Sequence, residues 1–377
     1  MKSAMPIHSI MNRKMRKLTN ILVTGGSGFI GCNFIRMILE KKDFSGRIIN
    51  LDALTYAGNR MSLLDIEEKY GSRYFFEHGS ICDTELVNSI FEKYEIDTVV
   101  HFAAESHVDR SILGPKDFVQ TNVMGTFTLL EATRKFWKNN DASYKDDVLF
   151  HHVSTDEVYG SLRDTGYFTE KTPYDPRSPY SASKAASDHL AMSYFHTYGL
   201  PLTLSNCSNN YGPYQFPEKL IPLMIFNILE GKSLPVYGDG KQIRDWIYVK
   251  DHNCAVWLIM NKGKTGEQYN IGGDNEWENI KLLDTLIDIV ANKTGLDIEK
   301  IKMTINFVRD RPGHDRRYAI DCSKIKRELG WKQEVNFSEG LAQTVDWYLA
   351  NPKWIEDIRS GEYQRWIETN YGDRKND

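Results

Sequence analysis

The sequence predicts an α/β protein: a doubly wound parallel sheet followed by a smaller C-terminal α/β domain. Three observations point there. Short apolar or β-branched runs alternate with longer segments of helical period through the first half of the chain. Runs such as Ile21-Leu-Val23 and Thr98-Val-Val100 are apolar throughout, which suits strands buried on both faces. From about residue 206 the alternation loosens into Gly-Pro pairs, tight turns and isolated helices.

The first strand, 20–24, runs into Gly25-Gly26-Ser-Gly28-Phe29-Ile30-Gly31, which reads as a tight turn and the start of a helix over 29–42. Glycines there allow a sharp turn and close approach to a pyrophosphate seated on the helix N-terminus. The second strand, 47–52, ends in Asp52, an acid 21 residues past Gly31 and placed for ribose hydroxyls. With these two features the sheet reads as a Rossmann-type dinucleotide-binding domain. Asp52 would repel a 2′-phosphate, and no Arg follows it in Asp52-Ala-Leu-Thr55, so NAD is expected rather than NADP.

A third strand at 74–78 and a helix at 84–94 precede the fourth strand, 98–102. That strand leads into Phe102-Ala103-Ala104-Glu-Ser106, whose small alanines would let a cofactor lie against them. A helix is expected over 116–138, then a fifth strand over 148–153 ending in Ser154-Thr155-Asp156-Glu157. The carboxyl ends of strands are where open α/β sheets bind ligands. Two adjacent carboxyl groups there can hold different protonation states, one acting as acid and the other as base. Hydride transfer alone needs one proton-transfer group, so two extra acids imply that water is also expelled.

The helix over 179–198 carries Tyr180 and Lys184, four apart and on one face. An ammonium beside the phenol, together with a positively charged nicotinamide, is expected to lower its pKa towards that of a useful base. A sixth strand follows at 201–206. Beyond it lie a turn at Tyr237-Gly-Asp-Gly240 and a helix near 279–293.

Residues 19–205 are accordingly expected to form the dinucleotide-binding domain, and 206–377 mainly a substrate domain, with a stretch near 246–273 rejoining the first. No Ser/Gly-rich linker intervenes, which predicts a broad interface with a cleft. Residues 1–18, with Lys2, Arg13, Lys14, Arg16 and Lys17 but no apolar stretch, are expected to be a disordered basic extension rather than a secretory signal.

In 377 residues the net charge is −4, which gives no footprint for nucleic acid or an anionic membrane. No apolar run reaches the length of a membrane span. The five cysteines are scattered without Cys-x-x-Cys spacing, which fits free thiols in a reducing, cytoplasmic setting. His107, His151 and His152 lack spaced Cys or carboxylate partners, so no metal site is expected.

Together these motifs make the chain similar to the extended short-chain dehydrogenase/reductase family, and within it to the dTDP-glucose 4,6-dehydratases. The resemblance runs from about residue 19 to the C-terminus. It is carried by Thr24–Gly31, His101–Ser111, Ser154–Gly160, Tyr180–Lys184, Cys207–Pro213, Phe216–Pro222, Arg244-Asp-Trp246 and Asp310–Tyr318. It implies that Tyr180 takes the proton of the sugar C4 hydroxyl, Thr155 bonds the C4 oxygen, Glu157 removes the C5 proton and Asp156 protonates the departing C6 hydroxyl. Lys184 would hold the ribose and tune Tyr180.

On the cofactor side the resemblance adds Gly25, Leu54, Thr55, Ser80, Ile81, Thr121 and Asn210 to the glycine turn. On the substrate side it implies Ser106, Asn209, Lys219, Leu220, Arg244 and Asn270, then Asp310, Arg311 and His314, with Pro235 and Tyr237 beside the base. One departure is Ser80-Ile81, where the family carries Asp before Ile for the adenine amine. Adenine recognition is expected to weaken or to shift to Asp83. A homodimer joined as a four-helix bundle through 116–138 and 179–198 is also implied. A UDP-glucose 4,6-dehydratase, or an epimerase or decarboxylase acting on a UDP-sugar, is the alternative; Asp156 and Glu157 speak against the latter two.

Overall fold

The computed structural model describes residues 15–310 and 314–358. Its strands are β1 (Asn20–Thr24), β2 (Arg47–Asp52), β3 (Tyr74–His78), β4 (Thr98–His101), β5 (Leu149–Thr155) and β6 (Leu202–Cys207), then β7 (Asn209–Tyr211), β8 (Leu234–Tyr237), β9 (Ile243–Tyr248), β10 (Gln268–Ile271), β11 (Glu276–Glu278) and β12 (Ile305–Val308). The helices that concern the site are α1 (Phe29–Glu40), α2 (Leu64–Tyr70), α3 (Thr84–Tyr94), α4 (Val108–Leu113), α5 (Pro115–Phe118), α6 (Thr126–Phe136), α7 (Pro179–Tyr198), α8 (Leu220–Leu229), α9 (Val249–Lys262) and α10 (Asn279–Thr294).

Seven strands form one sheet in the order β10-β6-β5-β4-β1-β2-β3, with every neighbouring pair parallel. Side chains alternate across it, as the strand period requires. Ile21 and Val23 of β1 pack with Phe34, Ile35 and Ile259 of α1 and α9. Leu22 between them packs on the other face with Val87, Phe91, Leu129 and Ala191 of α3, α6 and α7. Because the chain winds one way from β1 to β3 and the other way from β4 onward, the loops after β1 and β4 diverge. That opens a crevice at the carboxyl ends of the strands.

β10 is the outer strand of this sheet, so the chain returns to it after β9. The remaining strands form a three-stranded sheet, β11-β9-β7, and a two-stranded pair, β12-β8. They pack with α8, α10 and the helix Phe337–Ala350 around a separate core containing Ile225, Leu286, Val345 and Tyr348.

The structure departs from the sequence reading in three places. The helix expected over 116–138 is broken into α5, one turn of π-helix at Val119–Gly125, and α6. The wide turn swings Asn122 inward, where its amide clamps the backbone of Glu105 from both sides, accepting from its N–H at 2.9 Å and donating to its carbonyl at 3.0 Å. β5 runs two residues further than expected, because Ser154 and Thr155 still pair with Asn206 and Cys207 of β6. The basic extension lies outside the described residues up to position 14, but the chain is docked by position 16. Arg16 donates to the carbonyls of Met260 at 2.8 Å and Gly263 at 2.5 Å.

Candidate active site

A cavity of about 360 Å³ lies over the carboxyl ends of β1, β4, β5 and β6 and reaches the loop before α8. Its floor is the glycine turn. Gly25 has φ +70, and a Cβ there would lie 2.7 Å from Ala103 Cα, so the β1 and β4 loops can approach only without a side chain. A Cβ on Gly31 would come within 2.3 Å of the Gly25 carbonyl, which fixes how closely α1 follows the turn. α1 opens at Gly28 without a side-chain cap and with no acid in its first turn. Its first amides are left for an anion.

Asp52 closes the other edge. Its Oδ2 accepts from the Ser27 amide and its Oδ1 from the Leu54 amide, both at 2.8 Å. Leu54 has φ 49, a left-handed conformation that turns its N–H back onto Asp52. Thr55, Ser80, Ile81, Phe102, Ala103, Ala104, Ser106, Thr121 and Asn210 line the same cavity with Gly25, Gly28, Phe29, Ile30, Gly31 and Asp52. An uncapped helix start, a turn without side chains and a fixed carboxylate suit a dinucleotide. The Ser80 hydroxyl accepts from the Cys82 amide, 3.1 Å away. Asp83 does not line the cavity; its Oδ1 caps α3, accepting from Glu85 and Leu86. The structure thus gives no support to a shift of adenine recognition to Asp83.

Thr155, Asp156, Glu157, Tyr180 and Lys184 all reach this cavity. Thr155 ends β5, and its hydroxyl accepts from the Glu157 amide at 3.3 Å, starting a single 3-10 turn that holds both acids. Asp156 is 2% exposed; its Oδ1 accepts from the Thr155 hydroxyl at 3.4 Å and its Oδ2 has no hydrogen-bond partner. Burial first, then the neighbouring Glu157 and Asp245, push its carboxyl well above the usual range.

Tyr180 and Lys184 sit one turn apart on α7, whose start is fixed by Pro179 and by reciprocal bonds between Ser178 and Ser181. The protein's own groups act on the phenol in the opposite direction. Burial and then the Glu157 charge raise Tyr180 well above its ordinary value, with the Thr155 hydroxyl opposing. The Lys184 ammonium is turned to the Val153 carbonyl, donating at 2.8 Å.

On the substrate side, Asn209 and Lys219 line the cavity, and Leu220 follows Lys219 at the start of α8. The Lys219 ammonium donates to the Ser106 carbonyl at 3.0 Å, tying the loop before α8 to the segment after β4. Arg244, Pro235, Tyr237, Asp310 and His314 are not part of the cavity wall. Arg244 is buried, donating to the carbonyls of Ile243 and Asp315 at 2.8 and 2.9 Å beneath the Tyr318 ring. Pro235 and Tyr237 lie on β8, where the Tyr237 ring meets His314 edge-on and His314 bonds Asp310 at 2.6 Å. Arg311 lies outside the described residues.

Asn270 is a correction. It is fully buried in β10, with Oδ1 accepting from Tyr159 at 2.8 Å and Nδ2 donating to Phe168 at 3.1 Å, and its amide groups are consumed by the fold.

Sequence reasoning missed Glu105, Gln215 and Glu218, all of which line the cavity. Glu218 accepts from the Tyr56 hydroxyl at 3.1 Å, and burial pushes its carboxyl up to about 7 against the opposing Lys219 charge. Its place beside Lys219 in Phe216-Pro-Glu-Lys219 was the one available signal. Among the described residues no group of three or more metal-binding side chains converges, and no helix is long and apolar enough to cross a membrane.

A family model described as GDP-mannose 4,6 dehydratase matches residues 22–344. A relative from Escherichia coli K12 named dTDP-glucose 4,6-dehydratase 1 is 52% identical over 94% of this chain and 99% of its own. The crystal structure of the Bacillus anthracis dTDP-glucose 4,6-dehydratase in complex with NAD superposes with a TM-score of 0.79 at 44% identity, covering 90% of this chain and 99% of that one. The Streptomyces venezuelae dTDP-glucose 4,6-dehydratase, with NAD and TYD bound, gives 0.80 at 45% identity, covering 90% and 100%.

Proposed function

This chain belongs to the GDP-mannose 4,6 dehydratase family, and from that premise we propose that it converts dTDP-glucose to dTDP-4-keto-6-deoxyglucose with NAD as a resident cofactor. It is a carbon–oxygen lyase in this reading, supplying deoxysugar biosynthesis. The observation that carries it is the pair of acids on one 3-10 turn, Asp156 buried and Glu157 half-exposed, facing the same cavity as Tyr180 and the glycine turn.

In the first step Tyr180 accepts the proton of the sugar C4 hydroxyl while the Thr155 hydroxyl holds the C4 oxygen. The resulting ketone acidifies C5, and Glu157 removes that proton. Asp156, kept protonated by burial and by the Glu157 charge, donates to the C6 hydroxyl, which leaves as water. Bound NAD would supply the positive charge that favours the Tyr180 phenolate, take the C4 hydride and return it to C6 as a proton is returned to C5, so no external reductant is consumed. Gly25, Gly28, Gly31 and Asp52 would hold it.

A homodimer and a cytoplasmic location complete the proposal. Exposed apolar side chains gather on α4 to α6 (Ile112, Leu113, Val119, Met124 and Phe127), with Tyr198 at the end of α7. A patch of that kind favours pairing with a second copy. All five cysteines are free thiols, which suits a reducing compartment.

The test is turnover of dTDP-glucose and UDP-glucose side by side by the NAD-loaded enzyme. A 4-keto-6-deoxy product formed faster from dTDP-glucose is expected. Formation of a C4 epimer instead would contradict the proposal.

A further inference from the structure

Lys184 is only 5% exposed, and the Val153 carbonyl to which it donates offers a dipole but no counter-charge. A buried ammonium without an anion is costly. The titratable groups facing it come from several elements. His101 of β4 and His152 of β5 are held neutral by burial. Burial pushes the Cys207 thiol of β6 up to about 12 and raises Tyr180 of α7 as well. Asp188, also on α7, is the anion among these groups.

Asp188 follows Lys184 by one helical turn, as Lys184 follows Tyr180, so the three share one face. It is 1% exposed. Its carboxylate accepts from His152 Nε2 at 3.0 Å, Ser154 Oγ at 2.7 Å, the Tyr174 hydroxyl at 3.0 Å and Asn206 Nδ2 at 3.5 Å. The Asn206 amide also donates to the Thr155 carbonyl at 3.0 Å. Burial lowers Lys184, and the Asp188 charge is the leading influence against that.

We propose that Asp188 is a positioning residue for the reaction: its carboxylate is the counter-charge of the buried Lys184 and, through Ser154 and Asn206, anchors the strand end that carries Thr155. The role rests on the part played by Tyr180 and Lys184 in the proposed dehydration. Without that anion Lys184 gives up its proton at lower pH, and a neutral amine cannot support a Tyr180 phenolate.

Two measurements test this. The first is the pH dependence of C4 oxidation in a single turnover, read as NADH absorbance on the NAD-loaded enzyme. Asp188→Asn should move the alkaline limb to lower pH by about one unit or more. Asp188→Glu should restore it, and Tyr174→Phe, which removes a donor but no charge, should leave it in place. A rate reduced equally at every pH, with no movement of the limb, would reduce Asp188 to a scaffold role and overturn the proposal.

The second is thermal melting of Lys184→Met, Asp188→Asn and the double variant without substrate. The double variant should lose less than the sum of the single losses, because neither charge is left alone. It should also outlast Asp188→Asn where that variant fails to fold. Additive losses, or a double variant no more stable than Asp188→Asn, would overturn the pairing. Melting needs no turnover, so it stands apart from a failure of the dehydratase reading, which would appear as wild-type enzyme leaving C4 unoxidised.

Discussion

The Glu157 carboxylate adds its charge to burial in raising Asp156, so the neighbouring acid at the end of β5 is the one held towards its protonated form. Two residues of one chemical type thereby acquire opposite roles from their surroundings. The Oδ2 atom of Asp156, buried without a partner, is where a substrate hydroxyl would find its proton donor.

Replacing Asp156 by Asn should lower kcat by about 10²–10⁴-fold, the usual worth of a positioned general acid. It should also alter stability in a pH-dependent way. A carboxyl raised in the folded state stabilises fully below its unfolded value of 3.8 and loses that contribution as pH rises through its folded value. Asp156→Asn does not titrate, so its melting temperature should gain on the wild type as pH rises above 3.8. Melting curves across that range check the sign; a gap that shrinks as pH rises would refute it.

Tyr180→Phe and Glu157→Gln should stop the reaction at different points. The first removes the group that takes the C4 proton, so no reduced cofactor should form. The second should leave slow C4 oxidation, visible as bound NADH, while blocking exchange of the C5 hydrogen with solvent. Stopped-flow absorbance and proton exchange measured on both variants separate the steps. Equal loss of both steps in the two proteins would contradict the assignment.

Gly31→Ala tests the cofactor turn. Its Cβ would meet the Gly25 carbonyl at 2.3 Å, so the turn must open. NAD affinity should fall by about tenfold or more, some 1.4 kcal/mol. Calorimetric titration of the NAD-free protein reads this directly, and unchanged affinity would remove the turn from the site.

Acid should destabilise the protein through its buried histidines. Burial holds His151 and His252 down at about 3 against an unfolded value of 6.5. For a depressed base the stability is present above 6.5 and is lost as pH falls towards 3, by about 1.4 kcal/mol per unit and group. His252→Phe should flatten the melting profile over that interval. A slope equal to that of the wild type would exclude His252 as a contributor.

The parts of this site legible in the sequence are those fixed by neighbours in the chain. Gly25 to Gly31 encode a turn, Asp52 ends a strand, and Tyr180 and Lys184 share a helix face whatever the rest does. The parts that were not legible depend on distant contacts. Asn122 turns inward because Glu105 and Ser183 bind it, and the resulting π turn interrupts a helix whose local pattern is continuous. Asn270 carries polar groups suited to a ligand, but Tyr159 and Phe168, more than a hundred residues away, take them. Glu218 gains its raised carboxyl chiefly by burial, which the chain around it does not announce.

The most direct test of the central claim is the fate of hydrogen at C4. The enzyme should be given dTDP-glucose deuterated at C4 and the product examined by NMR. Deuterium at C6 of a 4-keto-6-deoxy product, with solvent hydrogen at C5, is the expected result. Deuterium that remains at C4, with the C6 hydroxyl intact, would contradict the elimination assigned to Asp156 and Glu157.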